Sequence, residues 1–585
     1  MNQEKFNICL ERMVLRCNKN KKISSTKYPK AFGNKEKNNF IRSENEEYIL
    51  KLKSPTSSSI SEAYYKLQEI TNVVYSELYN LNEIVWPFSS FNNINLNSKI
   101  TLSINKENYE ELKKVNKVLP EKLEDAFKNL KNEFKNKSYI LEKLYGKCTL
   151  KVSKSNIELS ELKNNYRTRM GMTYDDICFL VTFIFSLLEK NEVKSFKEEF
   201  KILENISKKY SLKTKESLEN VLKEIQNQKS RLEQEAELTD KEKTDLIDKY
   251  MEEGYETRYA LLKYKKLEKA AVVLIKDAIY QGIDYKVLNE SKSIVEFELN
   301  GHKEFVIEGN KTDRDTYIFP IITDDKLISK QIMADYGLNV PKAILLDSEM
   351  DREDIEELAS KFFNKTAVIK PRNTNYGTGI SVFDRKASKE EILTAIDYAF
   401  KFDNNVLIEE FAKGMEYRFL VIDGKCLSVA HRRAASVVGD GKSTIKELMI
   451  KKSNEYWHRL VGSPLKMDLP LEEHLKSQGY NYDTVIPEGK RVFLRTNSNC
   501  SSGGEAVDVT DEMPVKFKKI AEKAAKAFDA KICGVDIIVE DFKKDNYSIV
   551  EINDNPGYSI SEWPYEGKEQ KIGLGIFKLL GLVQE

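Results

Sequence analysis

The feature that most constrains the fold is a pair of strand-like runs near the end of the chain, CGVDIIVEDFKKDNYSIVEIN at 533–553. Apolar and β-branched residues on both sides of the polar turn DFKKDN (541–546) predict a β-hairpin. If the hairpin is symmetric about this turn, Asp536 lies opposite Glu551. Asn553 shares a face with Glu551 because strand side chains alternate. Three oxygen-bearing side chains at one end of a ribbon predict a site for a hard cation rather than a core.

Composition bounds the broad class of protein. At 585 residues the chain is too long to fold around a single hydrophobic core, and about two to four domains are expected. Lys and Arg number 94 and Asp and Glu 93, so no basic surplus indicates a nucleic-acid partner. The N-terminal residues lack the apolar core of a signal peptide, and the apolar run 177–188 is shorter than the ~20 residues that span a bilayer. We therefore expect no membrane association.

The cysteines indicate the compartment. The chain has seven, an odd number, and they are scattered without a C-x-x-C pair. This usage is typical of reduced thiols in the cytoplasm, where we place the protein.

The predicted secondary structure changes near residue 266, from charged helical segments to strands that alternate with helices, and this change predicts a domain boundary there. Short strand-like segments and helices fill 1–195, and 196–266 is strongly helical and charged, either completing the first domain or linking it to the next. Strands alternate with helices across 267–585. The chain is therefore expected to be a multidomain protein of mixed α+β and α/β class.

Several helices can be placed from their caps and their apolar spacing. The residues 60–81 have apolar side chains at helical intervals, and Thr173 is a plausible cap for the apolar helix that follows it. Thr239 and Glu242 form a capping-box pattern at the start of another helix. A further helix is expected over 326–337, where Gly337 closes it.

A glycine loop lies between two predicted strands in VIKPRNTNYGTGISVF (368–383). Such a loop lets backbone N–H groups approach phosphate oxygens closely. The spacing matches neither a Walker A loop nor a Rossmann fingerprint. Taken alone, the segment fits an ordinary hairpin as well as a nucleotide lid.

The next strand pair, NVLIEEFAKGMEYRFLVIDGK at 405–425, strengthens the nucleotide interpretation. Glu409 and Glu416 are placed to receive an adenine amino group and ribose hydroxyls, and Arg418 supplies a fixed positive fork. Glu410 is expected to be a solvated surface acid.

In this order, these segments resemble the ATP-grasp superfamily, whose members join a carboxylic acid to an amine through an acyl phosphate. The resemblance implies ATP and Mg²⁺ as cofactors, with Mn²⁺ as a substitute, and lids at 372–380 and 436–490. It implies a positive group near the reacting phosphoryl in Arg418. Matched position by position, it implies nucleotide-binding roles for Lys326, Lys370, Gly377, Thr378, Gly379, Glu409 and Glu416, and metal-ligand roles for Asp536, Glu551 and Asn553.

Three further segments, at 430–448, 493–512 and 563–581, resemble the C-terminal half of the bifunctional glutamate–cysteine ligase/glutathione synthetase family. Cyanophycin synthetase is a more distant relative. This resemblance implies that Arg432 and Arg495 face the substrate or phosphate. It also implies a C-terminal ATP-grasp fold preceded by a helix-rich, truncated glutamate–cysteine-ligase-like domain.

The N-terminal half resembles the opening of that family's glutamate–cysteine ligase domain, in 10–33, 40–55 and 82–89, with departures. The family has acids where this chain has Met13 and Lys51. A cation at a Mg²⁺-ligand position repels the metal. The interval that completes the family's ligase site is also much shorter here. We therefore expect a degenerate, catalytically silent domain in which Glu11, Glu46 and Glu47 survive as structural relics.

The leading hypothesis is a ligase of glutathione-synthetase type that adds glycine to γ-glutamylcysteine, with 557–563 lining the acceptor side. Three alternatives stay open: a ligase redirected to another peptide-like product, a retained bifunctional enzyme, and a non-catalytic scaffold. The expected partners are small amino-acid or peptide substrates, and a homodimer is expected by analogy with related ligases.

Overall fold

The protein was analysed as a computed structural model of all 585 residues. The structure describes residues 6–43, 46–87, 90–91, 94–104, 130, 134–135, 138–146, 148–152, 156–164, 172–188, 231–256, 264–374, 379–495 and 497–584. Gly377, Thr378 and most of the charged segment 196–266 lie outside these residues.

The chain divides into two compact units. The N-terminal unit comprises Met1–Lys265 and Ala278–Asp284, and the C-terminal unit comprises Lys266–Asp277 and Tyr285–Glu585.

The described part of the N-terminal unit is built on a seven-stranded sheet in the order β2-β3-β1-β7-β9-β8, with β4 paired to β1. The described strands of the unit are β1 (Phe6–Asn18), β2 (Ile41–Arg42), β3 (Ile49–Lys53), β4 (Glu83–Val85), β5 (Ser90–Phe91), β6 (Ile94–Asn95), β7 (Asn97–Ile104), β8 (Thr149–Val152) and β9 (Asn156–Lys163). Of these, β5 and β6 form a separate two-stranded sheet. Its helices are α1 (Ile60–Asn80), α2 (Tyr139–Tyr145), α3 (Tyr174–Leu188), α4 (Arg231–Ala236) and α5 (Asp240–Glu256).

The predicted helix starts are confirmed by side-chain caps. The backbone N–H of Thr173 donates to Asp176 at 2.8 Å, and that of Asp176 donates to the Thr173 hydroxyl at 3.0 Å, at the start of α3. Thr239 and Glu242 exchange the same pair of bonds at the start of α5. Helix α1 begins where the apolar spacing placed it, with the Ser59 hydroxyl as its cap.

A buried ion pair joins strands β1 and β4. The guanidinium of Arg16 is fully buried, and its Nε donates to Glu83 Oε2 at 2.8 Å. Its Nη1 donates to the carbonyl oxygens of Lys27 and Glu47. Because two buried charges are stable only when they are paired and hydrogen-bonded, this network holds β4 against β1.

The C-terminal unit contains the predicted alternation of helices and strands. After α6 (Lys269–Gln281) the strands are β10 (Asp284–Asn289), β11 (Ile294–Leu299), β12 (His302–Ile307), β13 (Ala343–Asp347), β14 (Lys365–Pro371), β15 (Ser381–Ala387), β16 (Asn405–Glu410), β17 (Met415–Ile422), β18 (Lys425–Arg433), β19 (Ser436–Val438), β20 (Arg491–Phe493), β21 (Glu505–Asp508), β22 (Ile532–Val539) and β23 (Tyr547–Asn553). The helices are α7 (Ile318–Asp324), α8 (Lys326–Asp335), α9 (Arg352–Ala359), α10 (Lys389–Ala399), α11 (Ile445–Ser453), α12 (Tyr456–Leu460), α13 (Leu469–Ser477), α14 (Val515–Ala527), α15 (Ser559–Glu562) and α16 (Ile572–Leu579).

Two sheets of this unit carry most of the predicted site residues, and Lys326 lies on α8. The four-stranded sheet has the order β13-β16-β14-β15, and the five-stranded sheet has the order β21-β18-β17-β22-β23. Buried residues of α9 and α10 share a core with the first sheet, and α14 shares a core with the second.

The predicted lid segment 436–490 forms a small body with its own core. Strands β19 and β20 pair with each other, and residues of α11 and α13 pack into one hydrophobic cluster that includes Val437, Ile445, Met449, Leu471 and Val492. Together with β20 the segment forms a folded element, the 436–493 body, rather than an open loop.

All seven cysteines are free thiols. Among the described residues, no helix is long and apolar enough to cross a membrane.

We expect Glu83→Ala to lower the free energy of unfolding of the N-terminal sheet by about 3–5 kcal/mol, because it leaves Arg16 buried without its charge partner. Hydrogen exchange of the peptides that contain β1 and β4 measures this effect. Lys35→Ala, which removes an ion pair whose side chains are 38% and 41% exposed, is the control. It should change exchange by the equivalent of less than about 1 kcal/mol. Equal protection in the two variants would contradict the assignment.

Candidate active site

The predicted alignment of the C-terminal hairpin is confirmed. Strands β22 and β23 pair antiparallel, with Asp536 opposite Glu551 and Gly534 opposite Asn553. The register then shifts, since Ile537 pairs with Ile549 and Val550 has no opposite residue. This bulge separates the polar end of the hairpin from its apolar end.

Two arginines hold the Asp536 carboxylate. Arg418 lies opposite Asp536 on β17 and donates to both of its oxygens, with Nη2 at 2.7 Å from Oδ2. Arg432 Nη1, on β18, donates to Oδ2 at 3.0 Å. Burial works to raise the pKa of Asp536, but the two guanidinium groups outweigh it and hold the pKa below its usual value. Asp536 is therefore ionised and largely occupied by protein donors.

Glycine at position 534 makes this pairing possible. A Cβ at Gly534 would lie 2.9 Å from Arg418 Cδ and 3.0 Å from Pro556 Cβ. No side chain fits without displacing the arginine. The glycine in the motif CGVD is therefore explained by the space that Arg418 needs, which β-propensity alone does not indicate.

Glu551 and Asn553 fit the donor set that a hard cation requires. Among the described residues, the side chain of Glu551 makes no hydrogen bond or ion pair, although its charge raises the pKa values of Lys326 and Lys330 against the effect of burial. The buried Nδ2 of Asn553 also has no hydrogen-bond partner there. Carboxylate and amide oxygens are the ligands that Mg²⁺ prefers. In the described part of the chain, no group of three His, Cys, Asp or Glu residues is arranged to hold a metal ion, so the predicted set depends on the asparagine.

A second buried carboxylate, Glu409 on β16, is held by two lysines. Lys370 Nζ lies 2.9 Å from Oε2, and Lys330 Nζ lies 3.3 Å from Oε1. Burial opposes ionisation, but the lysines together lower the pKa of Glu409. Burial and the nearby Lys370 ammonium lower the pKa of Lys330 to about 8. Glu410 is exposed, as expected.

Lys326 lies at the first turn of α8, next to its cap. Its Nζ donates to the carbonyl oxygens of Arg372 at 3.2 Å and Thr374 at 2.7 Å, where the glycine loop begins. Asp325 caps α8 and accepts two hydrogen bonds from the guanidinium of Arg372. The start of the loop is therefore fixed to this helix. Burial lowers the pKa of Lys326.

Gly379 at the end of this loop cannot be replaced without strain. Its φ is +74°, and a Cβ would lie 2.7 Å from Pro371 Cγ and 2.8 Å from Phe402 Cδ2. The glycine pattern therefore reflects close packing at the loop end as well as backbone freedom.

Glu416 joins the arginine network. Its Oε1 lies 2.9 Å from Arg432 Nη1, and its Oε2 accepts from the Ser498 hydroxyl at 2.7 Å. Arg432 also donates to the side-chain oxygen of Asn499. Burial raises the pKa of Glu416, against the opposing effect of Arg432.

Arg495 has a different partner from the other predicted arginines. Its Nη2 donates to Asp468 Oδ2 at 2.5 Å, and Asp468 caps α13. Among the described residues, no hydrogen bond or ion pair joins Arg495 to Asp536 or Glu416. The structure therefore brings Arg418 and Arg432 together, whereas Arg495 binds Asp468 of the 436–493 body.

A third buried carboxylate, Glu505 on β21, anchors this body to the five-stranded sheet. It pairs with Arg433 across from it on β18, at 2.6 Å, and with Lys452 of α11. His458 of α12 lies 3.5 Å away. Although burial works to raise the pKa of Glu505, these groups lower it to about 2.

Sequence reasoning missed several members of the site, among them Lys330, Ser498, Asn499, Gly534 and Glu505. Only Lys330 had a usable signal. It lies four residues after Lys326, so both lysines occupy one face of α8.

In the N-terminal unit, Glu11 is surrounded by lysines. Its carboxylate lies 3.1 Å from Lys99 Nζ, 3.4 Å from Lys51 Nζ and 4.0 Å from Lys53 Nζ. Glu47, whose side chain is 41% exposed, pairs with Lys35 and accepts from the Tyr28 backbone N–H. Glu46 is exposed.

Four family models match successive parts of the chain. They are glutamate-cysteine ligase over residues 2–128, an ATP-grasp-like domain over 266–318, D-ala D-ala ligase C-terminus over 332–443 and a RimK-like ATP-grasp domain over 484–571.

Curated relatives match over a single long segment. The glutathione biosynthesis bifunctional protein GshAB of Clostridium perfringens is 35% identical over 346 residues, which cover 57% of this chain and 44% of that protein. GshAB of Listeria innocua is 38% identical over 340 residues, which cover 57% of this chain and 43% of that protein. Over this segment the chain is similar to the bifunctional glutathione biosynthesis proteins. The match spans less than half the length of these relatives.

A solved structure extends the likeness of fold to nearly the whole chain. The crystal structure of a bifunctional glutathione synthetase from Pasteurella multocida matches with a TM-score of 0.78, covering 99% of this chain and 98% of that chain, at 22% identity. The C-terminal unit has the ATP-grasp fold, as the resemblance implied.

We expect Glu505→Gln to destabilise this ATP-grasp unit by about 3–5 kcal/mol, because it leaves buried cations uncompensated. The loss should be full at pH 7 and should shrink as the pH falls from about 4.5 toward about 2, because the folded state holds the pKa of Glu505 below its unfolded value. Urea unfolding followed by tryptophan fluorescence measures it. Glu566→Gln removes a 50% exposed partner of Arg433 and is the control, expected to cost less than about 1 kcal/mol. A pH-independent loss would contradict the assignment.

Proposed function

We propose that the chain is an ATP- and Mg²⁺-dependent ligase that joins a carboxylic acid to an amine through an acyl phosphate. The observation that carries the proposal is the convergence of buried cations and an unpaired acid. Lys326 and Lys330 lie near Glu551, which has no protein partner among the described residues, and Asp536 lies opposite it with Arg418 and Arg432. This arrangement suits a triphosphate with its metal.

Different residues would bind different parts of the nucleotide and its metal. Lys326 and Lys370 would neutralise phosphate oxygens, and Glu409 and Glu416 would face the adenine and ribose. Glu551, Asn553 and Asp536 would hold Mg²⁺, which supplies charge neutralisation between the terminal phosphates when it is bound. Because Asp536 already accepts from two arginines, Glu551 and Asn553 are the more available ligands.

The chemistry requires no protein nucleophile. A carboxylate oxygen of the substrate attacks the γ-phosphorus of ATP, the bond to ADP breaks and an acyl phosphate forms. The amine then attacks the acyl carbon, phosphate leaves and the amine loses a proton. Arg418 and Arg432 would stabilise negative charge on the transferring phosphoryl group, and their fixed geometry avoids reorganisation during the reaction. The 436–493 body, held by Glu505, would exclude water from the intermediate.

We infer γ-glutamylcysteine as the acid and glycine as the amine. The names of the curated relatives support this choice, and the segments 430–448 and 493–512 that carry the resemblance contain Arg432, Ser498 and Asn499. The substrates would be small molecules in the cytoplasm, consistent with seven free cysteines. A homodimer is proposed by analogy with related ligases.

We further propose that the N-terminal unit does not ligate glutamate to cysteine. Glu11 pairs with Lys51, Lys53 and Lys99, so ammonium groups take the positions around this carboxylate that a metal site would need. A divalent cation would have to displace them against their charge. The unit therefore has a structural or docking role.

Product mass with coupled ADP release tests both proposals. Given ATP and Mg²⁺, we expect glutathione from γ-glutamylcysteine plus glycine, and no product from glutamate plus cysteine. Product in the second reaction would show a retained bifunctional enzyme. ADP release in neither, despite ATP binding, would indicate a ligase with other substrates. Failure of ATP and Mg²⁺ to raise the thermal stability would favour a non-catalytic scaffold.

Replacing Glu551 tests the metal site cleanly. Glu551→Gln should lower ADP release by about 100-fold or more, the scale on which losing one preorganised electrostatic group lowers kcat. The melting temperature should stay unchanged, because Glu551 has no protein partner among the described residues. Asp536 is a poorer probe, since its replacement also leaves Arg418 and Arg432 without their shared carboxylate partner.

Glu540→Gln is the matched control for this experiment. Glu540 belongs to the same hairpin and pairs with the exposed Lys413. Its replacement should leave ADP release unchanged. Normal turnover in the Glu551 variant would overturn the metal-site assignment.

A further inference from the structure

Lys330 lies at a junction of three elements of the ATP-grasp unit. It is carried by α8 and is only 4% exposed. Its Nζ lies 3.3 Å from Glu409 Oε1 on β16 and donates to the carbonyl oxygen of Val550 on β23 at 3.0 Å. A single ammonium group thus joins a strand of the four-stranded sheet to a strand of the five-stranded sheet.

The contact on β23 falls at the bulge beside the predicted metal ligand. Val550 is the extra residue of the β22–β23 pair, and Glu551 follows it directly. A bulged residue is left out of the regular ladder. The Lys330 ammonium supplies a donor to this carbonyl, so it holds the backbone of the residue that immediately precedes Glu551.

The contact on β16 is part of a three-charge cluster. Glu409 is 1% exposed and has Lys370 on its other oxygen at 2.9 Å. Without Lys330, Glu409 would keep one partner, and the Val550 carbonyl would lose its side-chain donor. A partly buried carbonyl that loses its donor and a buried acid that loses one of two partners both cost free energy, so both strands would relax.

We propose that Lys330 is a positioning residue that couples the nucleotide strand β16 to the metal strand β23. This inference rests on the proposed function, because it assigns ATP to the Glu409 side and Mg²⁺ to the Glu551 side. Lys330 touches neither ligand in this role. It makes the position of each strand depend on the other, so that occupation of one site favours occupation of the second.

The coupling can be measured as a ratio of two dissociation constants for ADP: the constant measured with EDTA divided by the constant measured with saturating Mg²⁺. Lys330→Met keeps an unbranched side chain one atom shorter and removes its charge. Lys330→Arg keeps the charge but replaces a compact ammonium with a planar fork that cannot reproduce both contacts. Gln331→Met, at the next and exposed position of α8, is the control. Calorimetry and melting temperature are measured for all four proteins.

We expect the ratio to fall by about fivefold or more in Lys330→Met, the lower end of measured coupling between sites, and to stay at the wild-type value in Gln331→Met. A purely structural role would shift both constants in parallel or lower only the melting temperature, leaving the ratio unchanged. That result would overturn the proposal.

Two further outcomes are decisive. If Lys330→Met fails to fold, Lys330→Arg decides: a reduced ratio at a near-wild-type melting temperature supports coupling, and a wild-type ratio refutes it. If the wild-type protein binds no ADP under either condition, the proposed function itself fails. Normal wild-type binding with an unchanged ratio in the variants rejects only the role of Lys330.

Discussion

The ATP-grasp unit depends on the pairing of one buried carboxylate with two guanidinium groups. Asp536 on the strand β22 accepts from Arg418 on β17 and Arg432 on β18, so a single acid compensates cations from two other strands of its sheet. Removing one partner of such a buried pair typically costs about 3–5 kcal/mol, which is a large part of the stability of a domain. The position of Arg432 then fixes Glu416 and Asn499, which contact it.

The same physical solution recurs at the other polar centres. Glu409 is shared by Lys330 and Lys370, and Glu505 by Arg433 and Lys452. Each acid has more than one cationic partner, so the acid does not neutralise its cations completely. Glu11 of the N-terminal unit also lies among lysines. The proposals for the two units differ because Glu551 has no protein partner among the described residues, whereas three ammonium groups lie within 4.0 Å of Glu11.

Much of this arrangement could be predicted from local sequence. The turn at 541–546 defined the register that aligned Asp536 with Glu551, because a short hairpin leaves few alternatives. The caps at Thr173 and Thr239 were predictable for the same reason, since a capping box is a contact within four residues. The partners of Arg495 and Glu505 were not, because they come from separate elements brought together by packing.

The sequence by itself determined the hairpin, with Asp536 opposite Glu551, and the starts of the capped helices. Each of these depends on neighbours a few positions apart. Only the tertiary structure decided which charges meet: that Asp536 is occupied by arginines while Glu551 stays unpaired, that Lys330 joins β16 to β23, and that Gly534 leaves room for Arg418. The physical reason is that burial makes an ion pair strong or costly, and burial is a property of the packed fold rather than of the chain.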